Sequence, residues 1–155
     1  MRRGLLTPAD MAGMQAALRL ALAASVRDEV PVGAVIVQEG ELIAEAHNEM
    51  AHRGDPTAHA ELLAIQRALG KRRTDRLTDA TLYVTLEPCA QCAGAMVLAK
   101  VGRVVFGAYD GRAGMGGSVV DLLRHPRLNH GVEVLGGVMA DECGALLKRF
   151  FLARR

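Results

Sequence analysis

The stretch TLYVTLEPCAQCAGAMVLAK, Thr81–Lys100, changes its hydrophobic period part-way through. Thr81–Leu86 alternates Thr and Tyr with Leu and Val, the pattern of a strand whose two faces differ. Cys89–Lys100 then reads as a helix, entered just after Pro88. RVVFGA, Arg103–Ala108, is the next strand, so strand, helix and strand follow in order. Towards the N-terminus, GAVIVQ (Gly33–Gln38) is a β-branched run bounded by Pro31 and Gly40 and reads as a buried strand. A tight Glu39-Gly40 turn leads from it into a second strand, Leu42–Ala46. DPTAHAELLA, Asp55–Ala64, opens a helix that runs to about Gly70. Thr7-Pro8-Ala9-Asp10 places a Thr N-cap, a first-turn Pro and a first-turn acid at the head of another helix. Met11, Met14, Leu18, Leu22 and Val26 follow as the expected packed stripe of that helix. Towards the C-terminus come a loop with Gly111, Gly114, Gly116 and Gly117, a short strand over Val132–Leu135 and an amphipathic helix from about Asp141 to Leu152.

This order belongs to the α/β class. Strands separated by helices predict parallel neighbours with right-handed crossovers, and the first hairpin is antiparallel. The expected architecture is a mixed, mostly parallel five-stranded sheet with helices on both faces. No repeat, low-complexity segment or boundary divides residues 1–155, so one domain is expected. Half of the residues are apolar and 23% are charged, which is globular rather than disordered. Aromatics make up only 3% and Trp is absent, so the core must be aliphatic and rich in Ala. A net charge of +2 neither demands nor excludes a nucleic-acid partner.

Arg2 and Arg3 with LALAAS (Leu20–Ser25) mimic a signal peptide, but Asp10, Gln15 and Arg19 interrupt the apolar region. No segment reaches the roughly 18 apolar residues of a membrane span. A soluble, cytoplasmic protein is expected, and three cysteines do not suggest a secreted disulfide scaffold.

Cys89 and Cys92 lie three apart at a predicted helix start, where the macrodipole favours thiolate. Alone, the pair is a zinc half-site, a redox pair or a coincidence. A structural zinc wants four protein ligands, and no second Cys-x-x-Cys or spaced His pair supplies them. Cys143 falls on the inward stripe of the last helix with Leu146, Leu147 and Phe150, and reads as core. His59 and Glu61 stand two apart at the other predicted helix start, so they do not share a lateral face. Alone they would read as a first-turn polar residue and an acid suited to the dipole. Joined to the cysteines, His59, Cys89 and Cys92 make a three-ligand zinc site with one position open for water. Glu61 then has a separate task as the proton carrier.

His-x-Glu followed by Pro-Cys-x-x-Cys is the signature of zinc-dependent nucleobase deaminases. Beyond it, the chain resembles the bacterial tRNA-specific adenosine deaminases of the cytidine/deoxycytidylate deaminase superfamily. The likeness runs through VPVGAVIV, DPTAHAE, ATLYVTLEPC, CAGAM, GRVVFGA, HPRLNH, ADEC and the closing FFLARR. Gln91 and Tyr109 depart from it, standing where Met and Arg are usual. The resemblance implies a three-layer α/β/α cytidine-deaminase-like fold, one zinc ion per subunit and a homodimer. It further implies hydrolysis of adenosine to inosine at the wobble position of a tRNA anticodon stem-loop, in an arginine tRNA with an ACG anticodon.

Asn48, Asp110 and Asn129 match positions near the substrate; each also reads as a turn, cap or loop residue. Lys148, Arg149, Arg154 and Arg155 form a basic C-terminal cluster, of which Arg154 and Arg155 are the expected RNA contacts; Lys71, Arg72, Arg73 and Arg76 form another. A sister enzyme acting on a free base would need the same ligands and glutamate. A non-catalytic zinc protein would gain nothing from Glu61.

Overall fold

The computed structural model describes residues 5–154. In chain order they form α1 (Pro8–Val26), β1 (Gly33–Gln38), β2 (Glu41–His47), α2 (Met50–Arg53), α3 (Ala60–Arg72), β3 (Ala80–Leu86), α4 (Ala90–Leu98), β4 (Arg103–Ala108), β5 (Glu133–Leu135) and α5 (Ala140–Leu152). The strands lie in the order β2-β1-β3-β4-β5. β1 is antiparallel to both β2 and β3, while β3, β4 and β5 pair in parallel. Four strands therefore run one way and β1 runs against them. The expected parallel neighbours hold for β3 and β4 but not for β2 and β3, because the crossover through α3 steps over β1. Polarity explains the placement: β2 carries exposed Glu41, Leu42 and Glu45 and suits an edge, whereas β1 is apolar and buried over Gly33–Ile36.

Residues alternate across the sheet as a pleat requires. Val35, Tyr83 and Val105 are partners across β1, β3 and β4, and pack with Met14, Ala17, Val138 and Cys143 from the side of α1 and α5. Ile36, Leu82 and Val104 align on the opposite face and pack with Ala64, Ala68, Ala93 and Met96 from α3 and α4. The result is three layers, α/β/α. Cys143 is buried beside Gly107, as core.

The stripe expected on α1 holds in its first half, where Met14 is buried and Met11 and Leu18 pack against the core, and fails in its second. Asp10, Gly13, Met14, Ala17, Ala21 and Ala24 face inward, whereas Leu22 is 47% exposed and Val26 is 87% exposed. Close approach selects the small residues: a Cβ on Gly33 would collide with the carbonyl oxygen of Ala17. A leucine on that line would hold the helix off the sheet.

Thr7 and Asp10 close α1 with a reciprocal capping box. The same Asp10, 1% exposed, accepts two hydrogen bonds from Arg103 at 2.6 and 2.9 Å and one from the Tyr83 hydroxyl at 3.0 Å. Burial opposes its ionisation, but the Arg103 hydrogen bonds, the Thr7 N–H and Tyr83 win and lower its pKa to about 2. The folded value lies below the unfolded one near 4, so the stabilisation is full above about pH 4 and is lost as pH falls towards 2. Asp10→Asn should therefore cost about 2 kcal/mol at pH 7. Urea unfolding across pH should show the difference from wild type shrinking between about pH 4 and pH 2.

Candidate active site

The helix expected from Asp55 starts five residues later. The Asp55 carboxylate accepts from the N–H and hydroxyl of Thr57 at 2.8 and 2.7 Å, and this local turn competes with helix. His59 is thereby left as the N-cap of α3 in extended backbone conformation, with Glu61 inside the first turn. Cys89 is likewise the extended N-cap of α4, and Cys92 is buried in its first turn. Neither side chain makes a capping hydrogen bond. Both are free to turn toward the space between the two helix ends.

They meet there. His59 Nδ1 lies 3.5 Å from the sulfur of Cys89 and 3.5 Å from that of Cys92. All three donor atoms fall within 4.8 Å of one another. A tetrahedral ion bound at about 2.3 Å by sulfur and about 2.05 Å by nitrogen separates those donors by about 3.6 Å. The trio fits zinc in both chemistry and spacing. Within it, the Cys92 thiol donates to Cys89 and His59 adds to the effect, holding the Cys89 thiol well below its ordinary range. The Cys89 bond raises the His59 pKa in turn.

Glu61 stands beside the trio, 4% exposed. Burial is the main cause that raises its carboxyl to about 7, against its own backbone N–H and the neighbouring His59. A carboxyl at that value exchanges protons readily near neutral pH. Both groups open on a cavity of about 210 Å³ lined by Val30, Val32, Asn48, Met50, Leu86, Asp110 and Ala113 as well as by His59, Glu61, Glu87 and Cys89. Its walls are mostly apolar with a few convergent polar groups, as small-molecule sites are.

Residues 9–155 match the model of the MafB19-like deaminase family. The tRNA-specific adenosine deaminase of Bacillus subtilis (strain 168) is 49% identical over 89% of this chain and 86% of its own length. The chain belongs to the tRNA-specific adenosine deaminase family. A solved structure from a study of A-to-I editing by tRNA:A34 deaminases at the wobble position is 40% identical, with a TM-score of 0.84 over 88% of this chain and 99% of that one. A guanine deaminase from Nitrosomonas europaea is 27% identical, with a TM-score of 0.78 over 96% of this chain and 86% of that one.

The deaminase cavity includes two of the expected substrate residues. Asn48, 3% exposed, accepts the Met50 N–H at 3.0 Å and donates to the Val30 carbonyl at 3.4 Å. It shapes the turn and lines the cavity at once. Asp110 accepts from the N–H groups of Arg112 and Ala113 at 3.0 and 3.1 Å and also faces the cavity. Asn129 is not brought there. It accepts from Lys100 at 3.1 Å, before the start of β4, whereas Asp110 follows the end of that strand. Arg154 is engaged with Asp28 and the Phe150 carbonyl and lies over the Phe150 ring, 3.3 Å from its centroid. Arg155 lies outside the described residues. In the other basic cluster, Lys71 and Arg72 pair with Glu41.

Two buried acids that sequence reasoning passed over hold the cavity together. Glu29 accepts the N–H groups of Ala51 and His52, each at 2.9 Å, and so pins α2 beside Asn48. Glu87, 2% exposed, accepts the N–H groups of Asp110, Gly116 and Ser118, each at 3.0 Å, and the Ser118 hydroxyl at 2.5 Å. Burial resists its charge, but the Ser118 hydroxyl and the three N–H groups win and lower its pKa. Gly114 permits this closure, since a Cβ there would collide with the Glu87 carboxyl carbon. The available signal was a lone acid ahead of Pro-Cys, facing a loop rich in glycine.

Glu87→Gln should cost about 2 kcal/mol, the scale of hydrogen bonds to a charged group. Amide hydrogen exchange should quicken at Asp110, Gly116 and Ser118 while β3 stays protected.

Proposed function

We propose that this deaminase converts adenosine to inosine at the wobble position of a tRNA anticodon, using zinc and a glutamate proton carrier. The observation that carries the reading is the meeting of His59 Nδ1 with two cysteine sulfurs beside the buried Glu61. The family relation supplies the substrate class, through relatives named for tRNA-specific adenosine deamination. His59, Cys89 and Cys92 hold the metal, one ion per subunit. Zinc bound there supplies the Lewis acidity that lets water act as a nucleophile near neutral pH.

The chain's own groups do the rest. Glu61 accepts a proton as water adds to C6 of adenine and delivers it to N1. It then takes the second proton, from the hydroxyl now on C6, and passes it to the departing amine as the C–N bond breaks, so that water and adenosine become inosine and ammonia. A carboxyl raised to about 7 suits both halves of that transfer. The apolar wall of Val30, Val32 and Leu86 excludes bulk water from the ring. Asn48 and Asp110, both on the cavity wall, orient the nucleoside. Arg154 and Arg155 meet the flanking RNA, Arg154 by exchanging its bond to Asp28 for phosphate.

An anticodon loop suits a cavity of this kind, because its bases splay out at less cost than those of a duplex. The arginine tRNA with an ACG anticodon is the expected substrate. The working form is a cytoplasmic homodimer of one-domain subunits.

The test uses zinc-loaded protein and an anticodon stem-loop with adenine at the wobble position, with free adenosine, cytidine and guanine in parallel. Wild type should yield inosine and ammonia from the RNA, and Glu61→Ala should be slower by about 10²–10⁴-fold, the usual worth of general acid–base catalysis. Chelation should abolish turnover and added zinc should restore it. Turnover of guanine with the stem-loop untouched would overturn the tRNA reading in favour of the free-base chemistry named for the Nitrosomonas relative.

A further inference from the structure

Gln91 sits between the two cysteines, half-buried, at the point where α4 faces the turn that carries His59. Its side-chain amide donates to the Thr57 carbonyl at 3.0 Å and reaches the Cys92 sulfur at 3.8 Å. Both partners are acceptors, so the amide N–H groups must point at them and the orientation is fixed by chemistry. Among the described residues, and apart from the ligand trio itself, no other side-chain hydrogen bond joins the 55–59 turn to α4. The Asp55 side chain bonds only within the turn, to Thr57, and the backbone of the turn is tied to α2 through the Asp55 N–H and the Met50 carbonyl rather than to α4.

We propose that Gln91 is a positioning residue for the metal site, clamping the His59 turn to the first turn of α4 and giving the Cys92 sulfur an N–H donor. The two halves of the ligand set come from different helices, thirty residues apart in the chain. Held at the ligand spacing before the ion arrives, they lose less freedom on binding it. A hydrogen bond to a ligating sulfur also tunes the ligand, as outer partners at metal sites do.

The inference rests on the zinc reading above, and its test separates the two. Wild type, Gln91→Met and Gln91→Glu are titrated with zinc against a chromogenic chelator, with no RNA present. Methionine matches glutamine in length but has no N–H to give; glutamate keeps the shape and turns two oxygens towards two acceptors. The Met variant should bind zinc about 10-fold more weakly, the lower end for loss of an outer partner, and the Glu variant more weakly still. Cobalt-loaded protein supplies the second readout, since its visible absorption follows the sulfur ligand field and should shift in the Met variant.

Equal zinc affinity and coincident cobalt spectra in wild type and Gln91→Met would overturn the proposal. So would a loss of affinity matched by an equal loss of stability in the metal-free protein. Failure of wild type itself to take up zinc would instead bring down the metal reading on which the inference stands.

Discussion

Two helices packed on one face of a sheet can aim their N-terminal ends at a common point only if the strands before them run the same way. β2 and β3 meet that condition because β1 lies between them and opposes both. Its reversal has a second effect, bringing the start of β1 to the edge where β2 and β3 end. Gly33 pairs with His47 there, and its N–H reaches the Thr85 hydroxyl at 3.2 Å. Val30 and Val32 are thus placed on the cavity wall without belonging to either helix. The topology that first looks like an interruption of a parallel sheet is what brings His59, Cys89, Cys92, Glu61 and the apolar wall to one edge.

Two buried glutamates at that edge have opposite fates. Glu61 is raised to about 7, chiefly by burial. Glu87, as deeply buried, is lowered, because one hydroxyl and three backbone N–H groups converge on it. Environment divides the tasks: a carboxylate with all its partners is a fixed anchor, and one short of partners can move a proton. The anchor fixes the loop beginning at Asp110, so the two acids line one cavity without competing for protons.

The cluster of His59, Cys89 and Cys92 was legible because each motif is local and each follows a strand. Strand positions were legible for the same reason. Other features depend on partners distant in sequence. The second half of α1, which turns Ala21 and Ala24 inward in place of Leu22 and Val26, was not legible because leucine outranks alanine in a hydrophobic pattern, while close packing on Gly33 reverses the order. α2 has four residues, MAHR, and depends on Glu29 more than twenty positions back for two of its N–H groups. Asn129 could not be separated from the site without Lys100, nor Arg154 assessed without Asp28. Glu87 reads in the sequence only as an acid ahead of Pro-Cys, since its four donors belong to a loop that reads only as glycine-rich.

Helix caps show what the site costs the fold. α1 carries a full capping box, and such a cap is worth about 1 kcal/mol. α3 and α4 put His59 and Cys89 at the same position, and neither makes a side-chain cap. α5 also lacks a side-chain cap but has Asp141 and Glu142 in its first turn to answer the dipole. α4 has no acid there at all, and its free N–H groups favour charge on the cysteine sulfurs instead. A serine or aspartate at Cys89 would cap the helix and break up the His59–Cys89–Cys92 cluster. The weakness at these two helix ends is therefore the same physical fact as their capacity to hold a cation.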